Sequence, residues 1–198
     1  MTRLLKAAFS LTAIFFFALL PRSGKAMVLP FLEMEGLTDI SALIVQAEVI
    51  AVESRWDEAH RSIRTDVTLQ VQSVLLGSFD GEKLRIELPG GSVPGEDWRQ
   101  VIPGLPTFAV GEEAVVFLRK DPGLFCPIAG WIQGKFDVIT EPESGRKLVL
   151  DRFGKYRRYL KRKAGIHKLK ALGDVEKVGV EEFAAVIAEI QGGKGSRR

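Results

Sequence analysis

Ten consecutive residues, Ile63-Arg-Thr-Asp-Val-Thr-Leu-Gln-Val-Gln, alternate without a break. Ile63, Thr65, Val67, Leu69 and Val71 fall on one face, and Arg64, Asp66, Thr68, Gln70 and Gln72 on the other. A period of two over that length predicts an extended strand with one buried and one wet face. A helix would scatter the same residues around its circumference. The pattern recurs upstream, where Val45, Ala47, Val49 and Ala51 alternate with Gln46 and Glu48 between Leu43 and Glu53. Between these strands, Ser54 to Ser62 carries Asp57, Glu58, His60 and Arg61 and reads as a hairpin loop. Leu84, Ile86 and Leu88 predict a third strand, closed by Pro89-Gly90-Gly91. After a long loop, Ala114 to Arg119 is a short apolar run suited to a buried strand. Residues 127–140 predict a fifth strand bent at Gly130 and Gly134, and Lys147 to Leu150 can return from a turn at 141–145.

Helical spacing is confined to the edges. Gly36 to Ala42 predicts a short helix capped by Thr38 or Asp39. Val180, Phe183, Ala184, Ile187 and Ile190 recur at helical intervals, with Glu181 and Glu182 in the first turn and Gly192-Gly193 as the stop. The expected fold is therefore mainly all-β: a five- to six-stranded antiparallel Greek-key barrel of OB type with a C-terminal α-helix. The corresponding plan is a barrel over 27–151, a basic linker over 152–179, the helix over 180–191 and a disordered tail over 192–198.

Residues 1–26 stand apart from that plan. Arg3 and Lys6 precede an apolar block from Ala7 to Leu20, and small residues occupy Gly24 and Ala26. A positive start, a short hydrophobic core and a small-residue exit predict a secretory signal peptide. The block is short for a permanent anchor, since spanning ~30 Å of hydrocarbon takes about 20 helical residues. The expected product is secreted or periplasmic, starts at Met27 and keeps no transmembrane span.

Charge is partitioned along the chain. Residues 27–150 carry 11 basic and 19 acidic groups, and residues 151–170 carry nine basic groups against Asp151. The basic block interleaves Phe153, Tyr156 and Tyr159 with Arg157, Arg158, Lys161, Arg162 and Lys163. On a cytoplasmic barrel that mixture would suggest nucleic acid; an exported chain instead meets lipid head groups, cell-surface polymers and acidic proteins. A solvated linker lying across the acidic barrel is the alternative.

No catalytic set emerges. Cys126 is the only cysteine and sits in the apolar run Leu-Phe-Cys-Pro-Ile, which predicts a buried, inert thiol. A nucleophilic pair with His167 is the competing possibility. His60 and His167 have no paired ligand spacing, so no metal or other cofactor is expected. Glu112-Glu113 are adjacent, and neighbours on a strand point to opposite faces. The loop Pro89-Gly-Gly-Ser-Val-Pro-Gly-Glu lacks the Lys and Ser/Thr of a phosphate cradle, and its carboxylates repel phosphate. Trp98, a large apolar side chain among polar neighbours, is a candidate binding anchor.

Several segments carry a resemblance: Pro89-Gly-Gly, Val101-Ile-Pro-Gly-Leu-Pro-Thr-Phe, Val110-Gly-Glu-Glu, Val115-Val-Phe-Leu and Gly130-Trp-Ile-Gln-Gly-Lys-Phe. Over about residues 38–150 the chain resembles a group of uncharacterised exported bacterial proteins. Phe108-Ala-Val-Gly-Glu followed by Val-Val-Phe-Leu is similar to netrin-like domains, OB-type barrels that include the tissue inhibitors of metalloproteinases. The resemblance implies a fold. It does not carry inhibition, which in that family needs an N-terminal cysteine and several disulfides, whereas this chain has one cysteine. The expected function is a non-catalytic interaction module for a protein or cell-surface partner, with loops 54–62 and 90–110 as contact surfaces. The alternatives are a secreted hydrolase, or a binder of anionic surfaces or polyanions through residues 152–170.

Overall fold

The computed structural model describes residues 30–121, 125–150 and 178–195. The expected signal peptide and the basic block with Arg157, Arg158, Lys161, Arg162 and Lys163 lie outside the described residues. Among those described, no helix is long and apolar enough to cross a membrane.

Six strands form one antiparallel sheet: β1 (Ser41–Trp56), β2 (Ile63–Leu76), β3 (Lys83–Pro89), β6 (Glu113–Arg119), β7 (Lys135–Thr140) and β8 (Lys147–Leu150). A separate small ribbon pairs β4 (Gly91–Ser92) with β5 (Arg99–Gln100). The sheet order is β3-β2-β1-β6-β7-β8. Three consecutive strands and a fourth that returns beside the first are a Greek key, so the expected connectivity is present. No ladder joins β3 to β7 or β8 among the described residues, and the pairing gives one sheet without a closing seam.

Both faces are covered. On one, Ile44, Val115, Phe117, Phe136, Val138 and Val149 pack against Met34 and Leu37 of α1 (Met34–Ile40) and Phe183 and Ile187 of α2 (Val180–Gly195). On the other, Val45, Ala47, Val49, Val67, Leu69, Ile86 and Leu88 pack with Val116, Leu105, Cys126 and Ile128. β6 contributes Val115 and Phe117 to one core and Ala114, Val116 and Leu118 to the other, which explains its unbroken apolar run.

Several local expectations are corrected. The fifth strand begins at Lys135: Gly130 adopts a left-handed conformation, and a 3-10 turn covers Trp131–Gly134. A Cβ at Gly134 would run into the Ala129 carbonyl, so this glycine serves a tight backbone crossing rather than a bent strand. Helix α1 starts two residues early, with Glu33 at its N-cap, and Thr38 instead returns its hydroxyl to the Met34 carbonyl at 2.7 Å. Helix α2 continues through Gly192-Gly193 to Gly195, which contradicts both the stop at 191 and an irregular tail from 192. Glycine weakens a helix by about 1 kcal/mol but, unlike proline, keeps its N–H. Phe183 and Ile187 of α2 are fully buried in the sheet's core.

The wet face of β2 is also less wet than its alternation implies. Asp66 is only 6% exposed, beneath Arg85 at 2.6 Å and Arg55 at 3.2 Å. Paired guanidinium groups replace the water a lone carboxylate would need.

Candidate functional site

The two loops singled out in the sequence converge at one end of the sheet. Inward positions of β1 end in Ser54 and Trp56, and the chain then turns through residues 57–62 into β2. The Asp57 carboxylate organises this turn: Oδ1 accepts the Arg61 N–H at 2.7 Å and Oδ2 accepts the Ser62 hydroxyl at 2.8 Å. These bonds, led by the Arg61 N–H, hold the Asp57 carboxyl below its ordinary value. His60 donates its N–H to the Asp57 carbonyl at 2.9 Å and sits at φ 53°, a left-handed conformation histidine rarely takes.

The second loop is laid over the same strand ends by Pro89-Gly90-Gly91. Gly90 donates to the Ile63 carbonyl at 2.7 Å, and its own carbonyl accepts the Thr65 hydroxyl at 2.5 Å. Gly91, at φ 134°, passes so close to Ser54 and Thr65 that a Cβ would strike both hydroxyl oxygens. Gln100 completes the anchorage by accepting the Ile63 N–H at 2.8 Å. The β4–β5 ribbon thus holds its tip, residues 93–98, against the β1–β2 turn.

An aromatic stack fills that junction. Trp56 lies nearly parallel to Trp98, with ring centroids 5.2 Å apart and planes at 10°. It is also stacked with His60, at 5.5 Å and 14°. The Trp56 indole N–H donates to Glu96 Oε1 at 2.9 Å, fixing the central ring to the second loop. Trp98 remains 48% exposed. The sequence singled out Trp98 but not its partners. Trp56 ends the inward series of β1, and no local pattern reveals that two hairpins separated by 30 residues meet.

The stack offers a partner aromatic surface to contact. Its rings present π faces and apolar edges, and the indole N–H of the central Trp56 is engaged by Glu96. Elsewhere, Cys126 is 1% exposed, and burial pushes its thiol above its ordinary value, so the nucleophilic thiolate is suppressed. Glu112 and Glu113 point to opposite faces, as expected. Glu112 pairs with Lys135, whose ammonium also meets Asp137 at 2.6 Å and lies 5.0 Å from the Phe108 ring centroid. Glu113 accepts from Lys147 at 2.8 Å and from Gln46 at 2.6 Å. Among the described residues, no cluster of three or more His, Cys, Asp or Glu side chains is arranged to hold a metal ion. No protein-family model and no curated protein matches this chain.

Proposed function

We propose that this chain is an exported, non-catalytic binding module whose contact surface is the Trp56–Trp98–His60 stack. The observation that carries the reading is Trp98: a half-exposed indole held parallel to a second tryptophan by a backbone-anchored loop. Rigid aromatic side chains on anchored loops lose little conformational freedom on contact, and tryptophan is enriched among residues that dominate binding energy. Export rests on the pattern of residues 1–26. The partner class is a protein or polymer of the cell envelope or its surroundings.

The test is capture from an envelope preparation by the immobilised chain, with Trp98→Ala beside the wild type. Removing a hot-spot tryptophan costs at least ~2 kcal/mol, so capture should fall by about 30-fold or more. Val110→Ala, at a still more exposed apolar residue in a different turn, should leave it unchanged. Equal capture by wild type and Trp98→Ala would defeat the proposal.

A second reading, binding of an anionic surface through residues 152–170, rests on the charge partition alone. Vesicle binding that persists after deletion of that block would remove it.

A further inference from the structure

The outer edge of β3 is a seven-residue backbone edge of the sheet that no described element pairs. At the opposite edge, β8 is covered: Val149 donates to the Val178 carbonyl at 3.0 Å, and Leu148 bridges Gly179. β3 pairs only with β2, in a register where Thr65 faces Leu88, Val67 faces Ile86 and Leu69 faces Leu84. The flanking bonds Gly90 N–H to Ile63 and Val71 N–H to Glu82 fix the phase of that ladder. Bonded pairs recur every second residue, so Leu84, Ile86 and Leu88 spend their backbone groups on β2. Lys83, Arg85, Glu87 and Pro89 therefore turn theirs toward the open edge. Proline at an outward position, where no donor is owed to β2, fits this phase.

The edge has a self-complementary sequence, Leu84-Arg85-Ile86-Glu87-Leu88. It reads the same in both directions except that the two charges exchange sign. We infer that β3 pairs with β3 of a second copy, antiparallel about a two-fold axis beside Ile86, joining two sheets into one. In that register Leu84 lies opposite Leu88, Ile86 opposite Ile86, and Arg85 of each copy opposite Glu87 of the other. The backbone groups of Arg85 and Glu87 then bond across the axis in both directions, and the Lys83 N–H reaches the Pro89 carbonyl.

Charge supports this register over its neighbours. Glu53, Asp66 and Glu87 lie in one cross-strand row, and the second copy places a guanidinium at the end of that row. A shift that set Arg85 opposite Arg85 would lose this pairing. Arg85 is already oriented by Asp66 at 2.6 Å, and Glu87 by Arg55 at 2.9 Å, so the side chains facing the axis are held in place. Because β8 is covered, the contact is isologous and closes as a dimer instead of propagating as a fibre.

One strand pair is a small interface, so the expected dimer is weak, with a dissociation constant on the order of 10–100 μM. Sedimentation equilibrium of the purified chain across that range reads it directly. Arg85→Glu and Glu87→Arg each set like charges opposite one another twice and should weaken association about tenfold or more. An equimolar mixture of the two variants sets glutamate opposite arginine at both positions, and mixed dimers should form with near wild-type affinity. Glu87→Arg leaves the Arg85–Asp66 contact in place and reports on the edge even if Arg85→Glu fails to fold. A wild-type chain that stays monomeric across the range overturns the inference. So does association that Glu87→Arg leaves unchanged, or a mixture of folded variants that stays monomeric.

Discussion

Replacing Phe183 by alanine would remove the side chain through which α2 enters the core of the sheet. Phe183 is fully buried, edge-on to Phe117 with centroids 6.2 Å apart at 84°, and tilted against Phe136 at 5.3 Å and 56°. Deleting a buried phenylalanine costs about 3–5 kcal/mol through lost transfer energy and the cavity left behind. Both aromatic contacts and a fully enclosed site place this position in the upper half of that range, at about 4 kcal/mol. For a chain of this size each kcal/mol shifts the melting midpoint by about 2–4 °C, so the expected drop is roughly 8–16 °C. Urea unfolding followed by tryptophan fluorescence is the informative assay. The three tryptophans, Trp56, Trp98 and Trp131, lie on the sheet and its loops and none on α2, so the signal reports the sheet while the perturbation sits on the helix. A midpoint shift with an unchanged slope shows that helix and sheet unfold together. An unchanged fluorescence midpoint, with only helical circular dichroism lost early, would refute the shared core.

Cys126 should resist thiol reagents until the chain is denatured, and labelling of the folded protein within seconds would revive a cysteine-based mechanism. Because burial raises its folded-state value, its linkage contribution is intact below the ordinary thiol value of 9.0 and is lost at higher pH. A titration of stability above pH 9 should therefore slope less steeply downward in Cys126→Ser. Asp57 has the opposite sign: its depressed carboxyl stabilises the 57–62 turn above the ordinary value of 3.8 and stops doing so as pH falls through the folded value. Tryptophan fluorescence should report loosening of the Trp56–His60 contact in that acid window, and Asp57→Asn should lose the acid step. Lys135→Met would leave Glu112 and Asp137 without their shared cation, which is 9% exposed, at an expected cost of about 2 kcal/mol in urea unfolding. Gly91→Ala combines a left-handed backbone with a collision at Ser54 and Thr65. It should cost about 2 kcal/mol or more and release the second loop, seen as a change in Trp98 emission.

Strand identity was legible because the alternation at 43–53 and 63–72 is a local consequence of one buried face. The Greek-key order was accessible for a related reason: two long strands, a short one and a wide return loop leave few ways to pair. What escaped were features set by contacts distant in sequence. Asp66 looked like a wet-face residue because nothing near it announces Arg55 and Arg85, one from each neighbouring strand. Gly134 looked like a strand bend because the Ala129 carbonyl it admits is recognisable only once the 3-10 turn has formed. Where helix α2 docks was not legible, because its link to the sheet is Phe183, whose ring partners lie on β6 and β7. The candidate site was half legible. Trp98 betrayed itself by polar neighbours, whereas Trp56 and His60 join it only through the glycine-dependent crossing at Gly90-Gly91.

Hydroxyl-radical footprinting of the chain, free and in complex with its captured partner, tests the proposed contact surface most directly. Oxidation of Trp98 should fall sharply in the complex, together with residues 57–62 and 93–98, while Val110 and Ile139 stay as reactive as in the free chain. A complex in which Trp98 is oxidised at its free rate, with protection confined to another surface, would contradict the assignment of the aromatic stack as the binding site.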